Sequence, residues 1–108
     1  MLNNVVLIGK IVELPITEKN EKGAKSTKII LEVERPFRES DGEYLTDKFL
    51  VKLWKGIAEQ IDDLCAIGSI IGLKGRLESN VTFVDDEYDY SYYIIAEKIS
   101  FLSTRMNN

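Results

Sequence analysis

The chain is 108 residues long, enough for one domain and too short for two, and its 44% hydrophobic and 30% charged residues are the balance of a globular protein, not a disordered one. It holds no histidine and one cysteine, Cys65; this removes the commonest general base, the commonest zinc ligand, any Cys-His nucleophile pair and any internal disulfide, and it points to a reducing compartment. Fourteen lysines and arginines face 18 acids for a net charge of −4, yet Asp85, Asp86, Glu87 and Asp89 crowd into five residues, and without them the chain is neutral.

Asn3 to Glu13 is predicted as a first strand, apolar and β-branched, with Gly9 marking a bulge or sharp bend and Pro15 ending it. Thr17 to Ser26, polar and carrying Lys19, Lys22, Gly23 and Lys25, is predicted as a mobile loop. Thr27 to Val33 is a second strand, with a turn around Pro36. Ser40-Asp41-Gly42-Glu43 is a turn signal, and Tyr44 to Trp54 is the third strand. The period then changes. Ile57, Ile61 and Leu64 form one stripe of a short helix over Lys55 to Ile67, with Gly68 where a C-cap is expected. Ser69 to Ser79 and Tyr90 to Phe101 are the fourth and fifth strands, with the acidic run as a loop between them.

Three strands, a short helix and two strands is the order of an OB-fold, a five-stranded Greek-key barrel. The domain is expected to span residues 1–103, leaving 104–108 as a short tail. No apolar run is long enough to cross a membrane, and the N-terminus lacks the basic start and apolar stretch of a secretory signal. No phosphate-cradling glycine loop of the P-loop or dinucleotide type is present. A binding module is favoured over an enzyme, and no cofactor or metal is expected.

Strand parity sorts the side chains. In the third strand Phe49, Val51 and Leu53 share a core face, while Lys48, Leu50, Lys52 and Trp54 share the other. Alternating cations and large apolar groups suit either a solvated face or a platform on which bases stack while lysines meet phosphates. In the fourth strand Ile71, Leu73 and Leu77 point one way and Ile70, Lys74 and Arg76 the other. Phe37 lies between Arg35 and Arg38, either as a second stacking group or as an apolar plug beside Pro36. Tyr90 and Tyr92 share a face; cross-strand pairing within a hairpin is the favoured role, base stacking the alternative. Cys65 is expected to be a small buried hydrophobe and the acidic run a solvated hairpin tip.

Three blocks resemble bacterial single-stranded DNA-binding proteins: Met1 to Lys10; Gly42 to Phe49 followed by Val51-Lys52-Leu53-Trp54-Lys55-Gly56-Ile57-Ala58-Glu59; and Gly68 to Leu77. They stand in family order and cover roughly residues 1 to 102. The resemblance implies an OB-fold that binds single-stranded DNA without sequence preference, in replication, recombination and repair. It further implies a homo-oligomer, tetramer or dimer, in the cytoplasm with the nucleoid. Trp54 and Phe37 match family stacking positions; a third such position falls at Lys48, and a fourth near Thr82, beside Phe83. With Lys52, Lys74, Arg76 and Arg35 for phosphates, these form the expected DNA-binding set. The family's flexible tail with its acidic tip is not seen before Asn108, so recruitment of other enzymes through it is not expected. Primosomal replication protein N, a tailless OB-fold dimer of replication restart, is a similar alternative. A protein-interaction OB module that has lost DNA binding is another.

Overall fold

The structure, a computed structural model, describes residues 1–19 and 25–103, with side chains for 1–13, 27–54 and 56–103. Its elements are β1 (Val5–Lys19), β2 (Lys25–Arg38), β3 (Tyr44–Leu53), α1 (Lys55–Leu64), β4 (Ile70–Val84) and β5 (Glu87–Phe101). The strands close into a barrel in the order β1-β2-β3-β5-β4. Neighbours are antiparallel except β3 and β5, which meet in parallel at Val51↔Ile94 and Lys52↔Ile95. This is the expected OB-fold, with its helix between the third and fourth strands.

β1 serves two partners. Val5 to Lys10 pair with β4, and from Lys10 the strand pairs with β2. Gly9 sits at this changeover, where a Cβ would come within 2.6 Å of the Glu32 carbonyl oxygen; the bend read from Gly9 is there because only a residue without a side chain lets the two backbones approach so closely. Pro15 does not end the strand. It falls at a register shift between Glu13 and Ile16, where the ladder needs no N–H donor, and β1 continues to Lys19. Of the predicted loop, Thr17 to Lys19 and Lys25 to Ser26 are paired strand, whereas Lys22 and Gly23 lie outside the described residues. Pro36 does not turn the chain either. Arg35, Pro36 and Phe37 bulge opposite the single residue Leu45, and the reversal comes at the predicted Ser40 to Glu43 turn. There the Glu43 N–H donates to the Asp41 carboxylate at 3.0 Å and Gly42 takes a positive φ of 87°.

The core is aliphatic: Ile11, Ile29, Leu31, Val51, Leu53, Ile71, Leu73, Ile94 and Ala96 line the barrel, and Phe49 packs against them. Helix α1 packs on β1 and β2 with Ile57, Ile61 and Cys65. Its stripe therefore ends at Cys65, buried as expected, and not at Leu64, which is 38% exposed. The helix stops earlier than predicted. Cys65 is its C-cap, with its N–H donating to the Ile61 carbonyl, and Gly68 instead takes a positive φ in the turn into β4, where its N–H donates to the Ile11 carbonyl at 2.8 Å.

The largest departure is at β4 and β5. Both run on past the barrel as a paired ribbon, Leu77↔Ile94 through Val84↔Glu87, so that Asn80 to Val84 and Glu87 to Asp89 are paired strand where a loop was expected. Asp85 and Asp86 alone make the turn, with φ of 52° and 64°. Two successive left-handed residues form the tight hairpin turn whose twist suits the strands, and aspartate tolerates that conformation better than most residues.

Candidate nucleic-acid interface

The outer face of the barrel carries a row of side chains running across four strands. Lys28 opposes Lys52, Lys52 opposes Ile95, and Ile95 opposes Arg76. The expected cations Lys52 and Arg76 are thus brought to one surface. The Lys52 ammonium lies 3.7 Å from the centroid of the Tyr93 ring. The Arg76 guanidinium donates to a Glu78 carboxylate oxygen at 2.7 Å, and the Tyr93 hydroxyl donates to the other oxygen at 2.8 Å. The Tyr93 hydrogen bond, then that from Arg76, hold the Glu78 carboxyl below its usual range, and the same bond to Glu78 raises the Tyr93 phenol.

Trp54 follows β3 directly and is the N-cap of α1, with extended dihedrals and no side-chain cap bond. It lies just past the strand to which the sequence reading assigned it. Its side chain is outside the core, 57% exposed, with its ring over Gly56, where any Cβ would collide with it. A glycine at this position leaves room for the ring.

Phe37, Arg35 and Arg38 sit at the far end of the β2–β3 hairpin. Phe37 is exposed, not a plug. Arg38 lies 4.9 Å from the centroid of the Tyr44 ring. Arg35 is committed within the chain: its guanidinium forks onto both oxygens of Asp47 at 2.9 and 3.0 Å. That hydrogen bond raises the arginine and lowers the carboxyl.

The remaining expected cations lie elsewhere. Lys48 opposes Glu32 on the β2–β3 face. Lys74 opposes Val6 of β1 and Lys98 of β5. On this same β1–β4 face Val6, Ile8 and Leu102 are exposed, with Ile8 and Leu102 both reaching over Gly72. They form an uncovered apolar patch.

The ribbon carries the expected Phe83 and the tyrosines for which cross-strand pairing is favoured over stacking. Phe83 packs against Tyr88 at 5.0 Å between ring centroids with the rings tilted by 52°, and Tyr88 lies 6.4 Å from Tyr90. Tyr88, Tyr90 and Tyr92 oppose Phe83, Val81 and Ser79, so they do form cross-strand pairs, yet each remains 57–65% exposed. Glu87 and Asp89 have the opposite parity and fall on the reverse face, opposite Val84 and Thr82. The acids therefore crowd the tip and one face, while the other face is aromatic. The alternation of acid and tyrosine from 87 to 90 was the signal that could have separated them. At the base of the ribbon Asn3 closes a pair of hydrogen bonds with the backbone of Leu77, and Leu2, Asn3, Asn4 and Val5 line a groove of about 420 Å³ with Leu77, Ser79 and Tyr92.

The model of the Single-strand binding protein family matches residues 2–102. Single-stranded DNA-binding protein 3 of Listeria innocua is 31% identical over 99% of this chain and 68% of its own length. Single-stranded DNA-binding protein B of Bacillus subtilis is 27% identical over 97% of this chain and 94% of its own. Among solved structures, a Plasmodium falciparum SSB complex with ssDNA is 20% identical, with a TM-score of 0.76 over 95% of this chain and 96% of that one, a likeness of fold. The single-stranded DNA-binding protein of Thermus aquaticus, as a deletion mutant, is 28% identical, with a TM-score of 0.68 over 96% of this chain and 52% of its own. With its family pattern matched from Leu2 to Leu102 and its barrel closed in the expected order, the chain belongs to the single-strand binding protein family.

Proposed function

We propose that the chain binds single-stranded DNA without sequence preference, as a binding protein and not an enzyme. The observation that carries this is the exposure of Trp54 and Phe37 together with an outer row of cations, and of ribbon aromatics that continue the barrel's inward-facing parity past its rim, on a barrel of this family. Aromatic faces accept any base, because every base presents a π-face, and cations meet the phosphates, which are the same in every sequence. Trp54 and Phe37 are the principal stacking groups, joined by Phe83 and the tyrosines of the ribbon. Lys52 and Arg76 receive phosphate on the outer row, with Lys48, Lys74 and Arg35 as flanking cations of the path.

Residues 1–103 act in this as one unit; the expected tail, 104–108, lies outside the described residues. The apolar patch of Val6, Ile8 and Leu102 supports self-association into a dimer or tetramer, since a second copy removes it from water. A protein with this task works in replication, recombination and repair in the cytoplasm, with the nucleoid. No helix among the described residues is long and apolar enough to cross a membrane. Titration of dT oligomers against Trp54 fluorescence at several salt concentrations tests the activity, and light scattering of the free protein tests the assembly. Quenching at saturation, with affinity falling as salt rises, is the expected result. Absence of binding at low salt leaves a protein-interaction barrel in its place.

A further inference from the structure

The side chain that engages the end of the outer row is an anion. Glu78 is a partly exposed carboxylate on the same face of β4 as Arg76, two residues away, and opposite Tyr93 on β5. Both of its oxygens are engaged, one by the Arg76 guanidinium at 2.7 Å and one by the Tyr93 hydroxyl at 2.8 Å. The ring of that same tyrosine carries the Lys52 ammonium on its face. One carboxylate thus gathers a guanidinium and a phenol, with a lysine at one remove. A tetrahedral phosphate oxygen would call on the same donors.

We propose that Glu78 is a built-in competitor for backbone phosphate, which occupies Arg76 and the Tyr93 hydroxyl in the free protein and must be displaced before the strand can engage them. This rests on the single-strand reading above and deepens it, by assigning Glu78 as a positioning residue that sets the strength and salt dependence of the contact. Its charge is secured through the neutral range, because its two donors favour the ionised form. A partly exposed pair of this kind is held weakly enough to exchange. Displacement has a measurable consequence. Each phosphate neutralised by a cation releases counterions from the DNA, but a carboxylate freed at the same moment takes a cation back from solution. Net release at Arg76 is therefore smaller than at a cation with no internal partner.

The test compares wild type, Glu78→Gln and Asp63→Asn by dT-oligomer titration across a salt series. Glutamine keeps the size of the side chain and an oxygen that accepts from Tyr93, while removing the charge. Asp63 is an exposed acid on α1, away from the row, and its variant controls for the loss of one negative charge anywhere. Glu78→Gln is expected to tighten binding by roughly two- to five-fold at low salt, the scale of an exposed ion pair. It is also expected to steepen the slope of log K against log salt by up to about 0.7, one additional single-strand contact. Asp63→Asn is expected to do neither beyond a small uniform gain. An unchanged or shallower slope in Glu78→Gln, or an effect equal to that of Asp63→Asn, overturns the proposal while leaving single-strand binding intact. Failure of wild type itself to bind overturns the single-strand reading and this proposal with it, and the wild-type titration alone distinguishes that outcome. Arg76→Ala/Glu78→Gln guards against a purely structural effect: the steepening must vanish when the arginine is absent.

Discussion

Leu73 and Leu77 lie four residues apart on the same face of β4, yet the first is 2% exposed and the second 43%. The strand is continuous between them; what changes is its company. At Leu73 the barrel is closed, with β1 on one side and β5 on the other. At Leu77 β1 has ended, and only Asn3 reaches back to the backbone. On β5 the same boundary falls beyond Ile94, the last residue opposite β3. Within the barrel, then, an alternating pattern makes core. Beyond it, the same alternation makes a two-faced ribbon, aromatic on one side and acidic on the other. A two-stranded ribbon is marginal by itself. Here its turn residues and the Phe83–Tyr88 pair, extending from a closed barrel, hold it in register.

The sharpest way to break this comparison is by stability. Ile71→Ala, in the closed barrel, is expected to cost about 2–5 kcal/mol through lost burial and the cavity left behind. Leu77→Ala, on the same face, is expected to cost below about 1 kcal/mol, because little of its surface leaves water on folding. Denaturant unfolding measures both, and equal losses would mean that the base of the ribbon belongs to the core.

Trp54→Ala carries the comparison to binding. Removing this exposed ring is expected to weaken dT-oligomer binding by about 1–3 kcal/mol while leaving the unfolding midpoint near wild type. A large fall in stability with unchanged affinity would make Trp54 structural.

The ribbon's aromatic face can be weighed against Trp54 with Tyr88→Ala and Tyr90→Ala. Each removes an exposed ring that opposes a β4 residue, and each is expected to weaken binding by less than Trp54→Ala, since two-stranded elements hold a base less rigidly than the barrel wall. Fluorescence titration with Trp54 intact reads the difference. No effect in either variant would confine the strand to the barrel.

Charge gives subtler effects. Lys52→Ala and Arg76→Ala are each expected to make the salt slope shallower by about 0.7 or less, weakening all sequences alike. Neutralising Asp85, Asp86, Glu87 and Asp89 is expected to tighten binding modestly at low salt, with the gain lost as salt rises and screens the acids from the phosphates. Glu87 and Asp89 continue the strand face of Arg76, Glu78 and Tyr93, whereas Asp85 and Asp86 sit at the tip, and separate variants at 85/86 and 87/89 apportion the gain between that face and the tip.

Order and type of the elements were legible in the chain because they follow from local chemistry. Period-two runs make strands, the 57–61 spacing makes a helix, and Asp41-Gly42 makes a turn whatever else the protein contains. The blocks shared with single-strand binders could be read as a pattern, whereas the exposure of Phe37, left open between a stacking group and a plug, came only with the fold. Where burial stops could not be read either, because parity assigns a side chain to a face but only another strand, arriving from far along the chain, covers that face. Thus Leu77 read as core, Leu64 took the place of Cys65, and the outer half of the ribbon read as a loop. Nor could the sequence by itself say that Arg35 is forked onto Asp47, or that Arg76 and Tyr93 share Glu78. Those pairs lie across neighbouring strands or along one face of a strand, and only the register that closes the barrel brings their charges within reach.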